Sequence, residues 1–190
     1  MFLLVGGLLA LACMQTAHNL APIRSGLIKR FGSAAYLIAY CVIVLMAVAL
    51  MVAGKSSVPF IAVWWPSASY KLFVLPLMFV GFVIAAAQVV PSNLRRWFRQ
   101  PLLAGATLWF LTHLLLNGDL ARMTLFGGLA SIGFLSIALA LREPYNKPAP
   151  LPWMKESLVI AVGGCAFMIA FFVHQTLFGV SPTMMPKAFF

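Results

Sequence analysis

The sequence predicts an all-α fold, a polytopic membrane bundle of six transmembrane helices with a short fourth helix. Of the 190 residues, 63% are hydrophobic and 8% are charged, whereas soluble domains are about 45–50% apolar and about 25% charged. The apolar residues are gathered into segments close to the about 20 residues that one bilayer crossing requires. These observations exclude a soluble globular fold, and we expect one membrane domain over residues 1–190.

Proline and glycine residues mark the boundaries of the apolar segments. Proline ends the first and third segments, at Pro22 and Pro91, and glycine closes the second and sixth, at Gly54 and Gly179. Pro101 begins the fourth, since the first turn of a helix tolerates proline. The six predicted spans are Phe2–Ala21, Ala34–Ala53, Leu72–Val90, Pro101–Leu116, Leu120–Leu141 and Ser157–Phe178. No positive charge precedes the first span, so we expect it to remain as a helix and not to be cleaved as a signal peptide.

The fourth predicted span is shorter than a bilayer crossing. Fifteen residues separate Pro101 from Asn117, which is about 22 Å of helix, against a hydrocarbon core of about 30 Å. Either the turn after this span reaches membrane depth, or the helix lies in a cavity lined by protein, because irregular backbone at depth must be covered. We therefore expect a site at the hairpin between the fourth and fifth spans.

Basic residues predict the orientation of the chain. The net charge is +10, and nine of the 13 Lys and Arg residues fall in the loops after the first, third and fifth spans. Cytoplasmic loops carry an excess of Lys and Arg, so these loops are expected in the cytoplasm and both termini outside it. We assign the charge to the lipid bilayer and expect no nucleic-acid partner. The four remaining basic residues are Lys55, Lys71, Arg122 and Lys187.

Three histidines, His18, His113 and His174, lie within the predicted spans. A neutral imidazole in apolar surroundings is a good ligand for haem iron or a metal ion. Two histidines from different helices suit a haem with two imidazole ligands. Hydrogen bonding between helices explains such residues equally, and their spacing leaves both interpretations open. A zinc site is disfavoured because no HExxH motif accompanies them.

The sequence Asn117-Gly118-Asp119 is typical of a turn between two helices. Gly118 suits a left-handed position after the fourth helix, and Asp119 suits the N-cap of the fifth. Arg122 follows Asp119 by three residues and is expected to pair with it. A ligand or proton-relay role for Asn117 and Asp119 is the alternative.

Several elements of the chain resemble a known family. One is the run Gln100-Pro101-Leu102-Leu103 … Leu108-Trp109 … His113-Leu114-Leu115-Leu116-Asn117-Gly118-Asp119. Others are Ala17-His18 … Arg24 … Phe31-Gly32 … Ala35-Tyr36, Trp65-Pro66, and His174 … Leu177-Phe178-Gly179-Val180-Ser181-Pro182. Together they resemble the NnrU family of small polytopic membrane proteins, which is named for an association with nitrate and nitric oxide metabolism in denitrifying bacteria. Plant zeta-carotene isomerase is a distant relative of that family.

The resemblance implies a cofactor and a set of ligands. The isomerase relative holds haem b between two histidines, whose positions here match His18 and His113. The family usually has a His-Pro pair where this chain has Gln100-Pro101, so an imidazole role is lost there. If haem binds, His18 and His113 must suffice, or His174 must contribute.

The resemblance also implies a setting, the bacterial inner membrane, and a function that supports nitrogen-oxide or isomerase-like redox chemistry. Two alternative functions remain open at this point. One is an accessory or assembly subunit of a membrane redox complex, and the other is a small-molecule permease. Whether the protein is an enzyme is left undecided.

Overall fold

The structure, a computed structural model, describes residues 1–67 and 69–178, of which 71, 177 and 178 are described by their backbone alone. Every element of regular structure in this part of the chain is helical. The helices are α1 (Phe2–Asn19), α2 (Ala21–Phe31), α3 (Ser33–Ser56), α4 (Tyr70–Ala86), α5 (Leu94–Trp97), α6 (Pro101–Leu116), α7 (Leu120–Ala140) and α8 (Met154–Phe178). Gly179 and Lys187, used above for a boundary and for orientation, lie outside the described residues.

Each of the six predicted apolar segments forms a helix, which confirms the all-α class. Four helices, α1, α3, α7 and α8, are long and apolar enough to cross a membrane, while α4 and α6 are apolar but shorter. The chain is thus that of a membrane protein. The count of six spans stays a prediction, because the 16 residues of α6 extend only about 24 Å along the helix axis.

Pro22 was expected only to end the first helix, but in the structure it also begins a second one. The first helix, α1, ends just before it, at Asn19. A continuous helix is prevented because the proline ring would clash with the carbonyl four residues earlier. The chain then takes one extended residue, Leu20, and starts α2 with Pro22 in its first turn, where no amide hydrogen is required.

The described chain divides into two compact units. Unit 1 comprises Met1–Pro66 and His113–Tyr145, and unit 2 comprises the described residues of 67–112 and of 146–190. The division falls inside α6, so that the last turn of this helix belongs to unit 1.

Unit 1 is built on close approaches of α1 to α3 and α7. A Cβ at Gly7 would lie 2.6 Å from the Ala47 carbonyl oxygen, and a Cβ at Gly54 would overlap the backbone of Leu4. A Cβ at Gly128 would lie 2.7 Å from Leu8 Cδ1. Lipid supplies no hydrophobic force between helices, so small residues that permit close packing hold them together.

These contacts fix the directions of the helices in unit 1. The early residues of α1 pack against the late residues of α3, so α1 and α3 are antiparallel. Leu4 and Leu8 of α1 cluster with Ala121, at the start of α7, and Leu11 and Ile132 flank the same cluster. Therefore α1 and α7 run parallel, and the start of α1, the end of α3 and the start of α7 share one end of the unit.

Unit 2 packs α4 against α8 and α6 by the same means. A Cβ at Gly163 of α8 would lie 2.5 Å from Val83 Cα, and one at Gly105 of α6 would lie 2.7 Å from Ala85 N. Asn93 closes one end of the unit. Its side chain exchanges two hydrogen bonds of 2.9 Å with the backbone of Leu151, and its amide donates to Glu156 Oε1 at 2.6 Å.

Candidate functional site

His18 lies half-buried in the last turn of α1 and faces α3. Its Nδ1 atom is 2.8 Å from Tyr36 Oη. The His18 ring also contacts the Tyr40 ring, with centroids 4.8 Å apart. When Nδ1 carries the proton it donates to Tyr36 Oη, and the lone pair of the imidazole is then on Nε2. Metal-bound histidines have this arrangement, since their second nitrogen usually donates to a partner that orients the ring.

A second polar contact lies beside the first. Tyr40 Oη donates to Gln15 Oε1 at 3.0 Å. Tyr36 and Tyr40 are four residues apart on α3, and Gln15 and His18 are three apart on α1, so each pair shares a helix face. Four polar side chains thus meet where α1 and α3 cross, and we call them the His18 cluster: Gln15, His18, Tyr36 and Tyr40.

His113 lies in the last turn of α6, in the part of that helix that belongs to unit 1. Its ring is 4.8 Å from the ring of Phe126 on α7, centroid to centroid. Its carbonyl oxygen accepts a hydrogen bond of 2.6 Å from Asn117 Nδ2. The hairpin therefore holds the backbone of His113 against the start of α7.

The contacts of α6, α7 and α1 indicate that His18 and His113 lie at different levels of unit 1. His113 contacts Phe126, and Phe126 lies two residues before Gly128, which contacts Leu8 of α1. His113 is thus near the level of Leu8. His18 follows Leu8 by ten residues, which separates the two histidines by about 15 Å along the helix axis. We therefore expect that these two side chains do not hold one haem iron between them.

Two of the four remaining candidate residues, His174 and Gln100, belong to unit 2. His174 is half-buried on α8, and Gln100 directly precedes α6, where its carbonyl oxygen accepts from the Ala104 amide at 2.9 Å. Neither lies in the same unit as the His18 cluster. Among the described residues, no group of three His, Cys, Asp or Glu side chains is arranged to hold a metal ion.

The hairpin confirms the predicted cap and ion pair. Asp119 is the N-cap of α7 and is 5% exposed; its Oδ1 accepts from the Arg122 amide at 3.1 Å. Arg122 Nε lies 3.2 Å from Asp119 Oδ2. Both oxygens of the buried carboxylate are therefore in contact with Arg122.

The predicted left-handed conformation of Gly118 is wrong. Gly32 is the one described residue with a positive φ. Gly118 is required for a different reason, since a Cβ there would overlap the carbonyl oxygen of Trp64. Its own carbonyl oxygen accepts from the amides of Val63, at 2.7 Å, and Trp64, at 3.2 Å.

The loop after α3 is joined to the hairpin by further hydrogen bonds. Ala62 and Asp119 form an isolated antiparallel bridge. The Leu120 amide donates to the Ile61 carbonyl at 2.9 Å, and Trp64 Nε1 donates to the Asn117 carbonyl at 3.2 Å. The backbone polar groups of this turn, which lies between two apolar helices, therefore form hydrogen bonds with the loop after α3.

The sequence model of the NnrU protein family matches residues 2–182, nearly the whole chain. The chain belongs to the NnrU family. No curated protein and no solved structure matches it. Membership of the NnrU family and the long apolar helices both indicate that this NnrU family member is a membrane protein.

Three residues that matter in this NnrU family member had no role as site candidates in the sequence. Tyr40 and Gln15 belong to the His18 cluster, and their helical spacing relative to Tyr36 and His18 was a usable signal. Lys55 was counted only for orientation, yet it lines a cavity beside Asp119. Nothing local in the sequence indicated that contact.

Proposed function

We propose that this NnrU family member is a haem-binding membrane protein in which His18 is the protein ligand of the iron. The observation that carries the proposal is the 2.8 Å contact of His18 Nδ1 with Tyr36 Oη. That contact fixes the ring and leaves Nε2 as the coordinating atom. One proximal histidine is a common way for proteins to hold haem.

The proposal revises the ligand set that the family resemblance implies. The separation of about 15 Å argues against His113 as the second ligand from the same chain. His113 instead stabilises the hairpin, through its contacts with Phe126 and Asn117. Bound haem would supply one-electron exchange at iron. The residues Tyr36, Tyr40 and Gln15 would orient the ligand and its neighbours.

We place this function in nitrogen-oxide or isomerase-like redox metabolism of a bacterial inner membrane, as the family resemblance implies. The protein would work with other redox proteins of that membrane. The orientation with both termini outside the cytoplasm belongs to the same proposal.

The test is the absorption spectrum of the protein purified in detergent from cells supplied with haem. We expect a Soret band for the wild type, its loss in His18→Ala, and its retention in His113→Ala and His174→Ala. Equal loss in His18→Ala and His113→Ala would restore the two-histidine arrangement. A wild type without a Soret band refutes haem binding and favours the accessory-subunit alternative.

A further inference from the structure

The first turn of α2 lies close to His18. Leu20 is the one extended residue between α1 and α2, and the two positions that separate it from His18 span at most about 7 Å. The Arg24 amide donates to the Leu20 carbonyl at 3.0 Å. The Arg24 side chain is near enough to His18 to interact with the imidazole electrostatically. A cationic group therefore lies beside the proposed iron ligand.

Arg24 differs from the two other cationic residues of α2. It shares one helix face with Ile28, four residues further on, and the Ile28 side chain is half-buried. Lys29 is exposed, and five residues of helix turn it about 140° away from Arg24. The Arg30 guanidinium lies over the Phe31 ring, 5.3 Å from its centroid. Arg24 has no ion-pair partner among the described residues, so its charge is available to a ligand.

A haem bound to His18 would bring two negative charges with it. The porphyrin carries two propionate groups on one edge, and both are ionised at neutral pH. Charged groups are costly within the hydrocarbon core, so this edge favours the end of a span. His18 lies in the last turn of α1, and Arg24 lies just beyond the end of that helix. The same place thus offers an imidazole for the iron and a guanidinium for a carboxylate.

We propose that Arg24 binds a propionate carboxylate of the haem that His18 holds, an inference that rests on the function proposed above. A guanidinium donates two parallel hydrogen bonds to one carboxylate, which gives the pair a defined geometry as well as energy. The imidazole alone leaves the porphyrin free to rotate about the bond to iron, and the ion pair removes that freedom. Arg24 therefore selects a porphyrin that carries free carboxylates.

The test compares haem with its dimethyl ester, in which both propionates are uncharged. Each is titrated into protein purified without haem in a neutral detergent, and binding is followed at the Soret band. Because esterification also changes partition into detergent, the quantity compared between variants is the ratio of the two affinities. We expect Arg24→Gln to lower this preference for haem about five- to tenfold relative to the wild type.

Two further variants separate the ion pair from a general effect of charge. Lys29→Gln, which removes an exposed charge from the other side of α2, should leave the ratio unchanged. Arg24→Lys keeps the charge and should retain most of the preference for haem. An unchanged ratio in Arg24→Gln would overturn the proposal, and so would an equal fall of the ratio in Lys29→Gln.

His18→Ala distinguishes failure of this proposal from failure of the proposed function. If both porphyrins require His18 and the ratio in Arg24→Gln equals that of the wild type, the haem site stands and the role of Arg24 is refuted. If the wild type binds neither porphyrin, or His18→Ala binds both as tightly as the wild type, the haem site at His18 is refuted. The role of Arg24 is then refuted with it.

Discussion

Gly7 of α1 lies directly against the backbone carbonyl of Ala47 on α3, so close that a Cβ on the glycine would be 2.6 Å from that oxygen. The same Cβ would lie 2.8 Å from Met51 Cγ. A Cβ on Gly6, one residue earlier, would have no atom of another helix within 4 Å. Adjacent glycines on one helix therefore have opposite structural roles.

Alanine should destabilise the protein at Gly7 and not at Gly6. Gly7→Ala forces α1 and α3 apart against a rigid carbonyl, and we expect it to cost about 1–3 kcal/mol. Gly6→Ala adds a methyl group on the open side and raises helix propensity, so it should be neutral or slightly stabilising. Thermal unfolding in detergent, followed by circular dichroism, measures both. Similar melting temperatures for the two variants would contradict the close packing.

Alanine at Gly118 should open the hairpin. Its Cβ would overlap the Trp64 carbonyl, so the bridge to the loop after α3 must break, at an expected cost of about 1–3 kcal/mol. Hydrogen exchange at the amides of Val63 and Trp64 should then accelerate. Gly127→Ala is the control, since its nearest neighbour would be Leu114 at 3.9 Å. Unchanged exchange in Gly118→Ala would sink the prediction.

Asp119 should stabilise the folded protein through its N-cap hydrogen bond and not through its ion pair with Arg122. Asp119→Ala removes the acceptor for the Arg122 amide and should destabilise the protein by about 0.5–2 kcal/mol, while Asn in its place should largely retain the cap. Arg122 is 30% exposed, and its loss in Arg122→Gln should cost less than about 1 kcal/mol. Thermal unfolding of the three variants should give this order; a greater loss in Arg122→Gln would reverse the assignment.

The two tyrosines of the His18 cluster should differ in their effect on haem. Tyr36→Phe removes the hydroxyl that contacts His18 and should lower haem affinity about 10- to 100-fold, as expected when the partner of a ligating histidine is lost. Tyr40→Phe removes only the hydrogen bond to Gln15 and should retain affinity. Haem titration followed at the Soret band distinguishes them. Equal affinities would mean that the Tyr36 contact does not orient the ligand.

Asn93 should stabilise unit 2 beyond what a surface residue contributes. Asn93→Ala removes two side-chain hydrogen bonds to Leu151 and leaves backbone groups unpaired, at an expected cost of about 1–3 kcal/mol. Asn146 is exposed, and Asn146→Ala should have no measurable effect. Thermal unfolding is again the measurement, and equal melting temperatures would show that the contact contributes nothing.

The helices could be predicted from the sequence because the hydrophobicity of a segment, and the proline and glycine residues at its ends, are local properties. The six apolar segments all form helices for that reason. The exceptions are the short helix α5 and α2, since Pro22 was interpreted only as a stop and not as the first turn of a new helix. The cap and ion pair of Asp119 were also predictable, because they join residues three positions apart.

The contacts of the site were harder to predict because they depend on the register between helices. Tyr36 meets His18 across 18 residues of sequence, and their contact is fixed by small residues elsewhere on α1 and α3, such as Gly7 and Gly54. The separation of His113 from His18 follows from α1 and α7 being parallel. Neither hydropathy nor family resemblance gives that direction.

The bridge between Ala62 and Asp119 has a consequence for membrane topology. Two residues that pair through their backbones lie on the same side of the bilayer. The chain between them contains α4 and α6, so it crosses the membrane an even number of times. These two short helices therefore either both span the bilayer or both remain on one side. If the four longer helices all cross the bilayer, the total is four crossings or six, and five are excluded by parity.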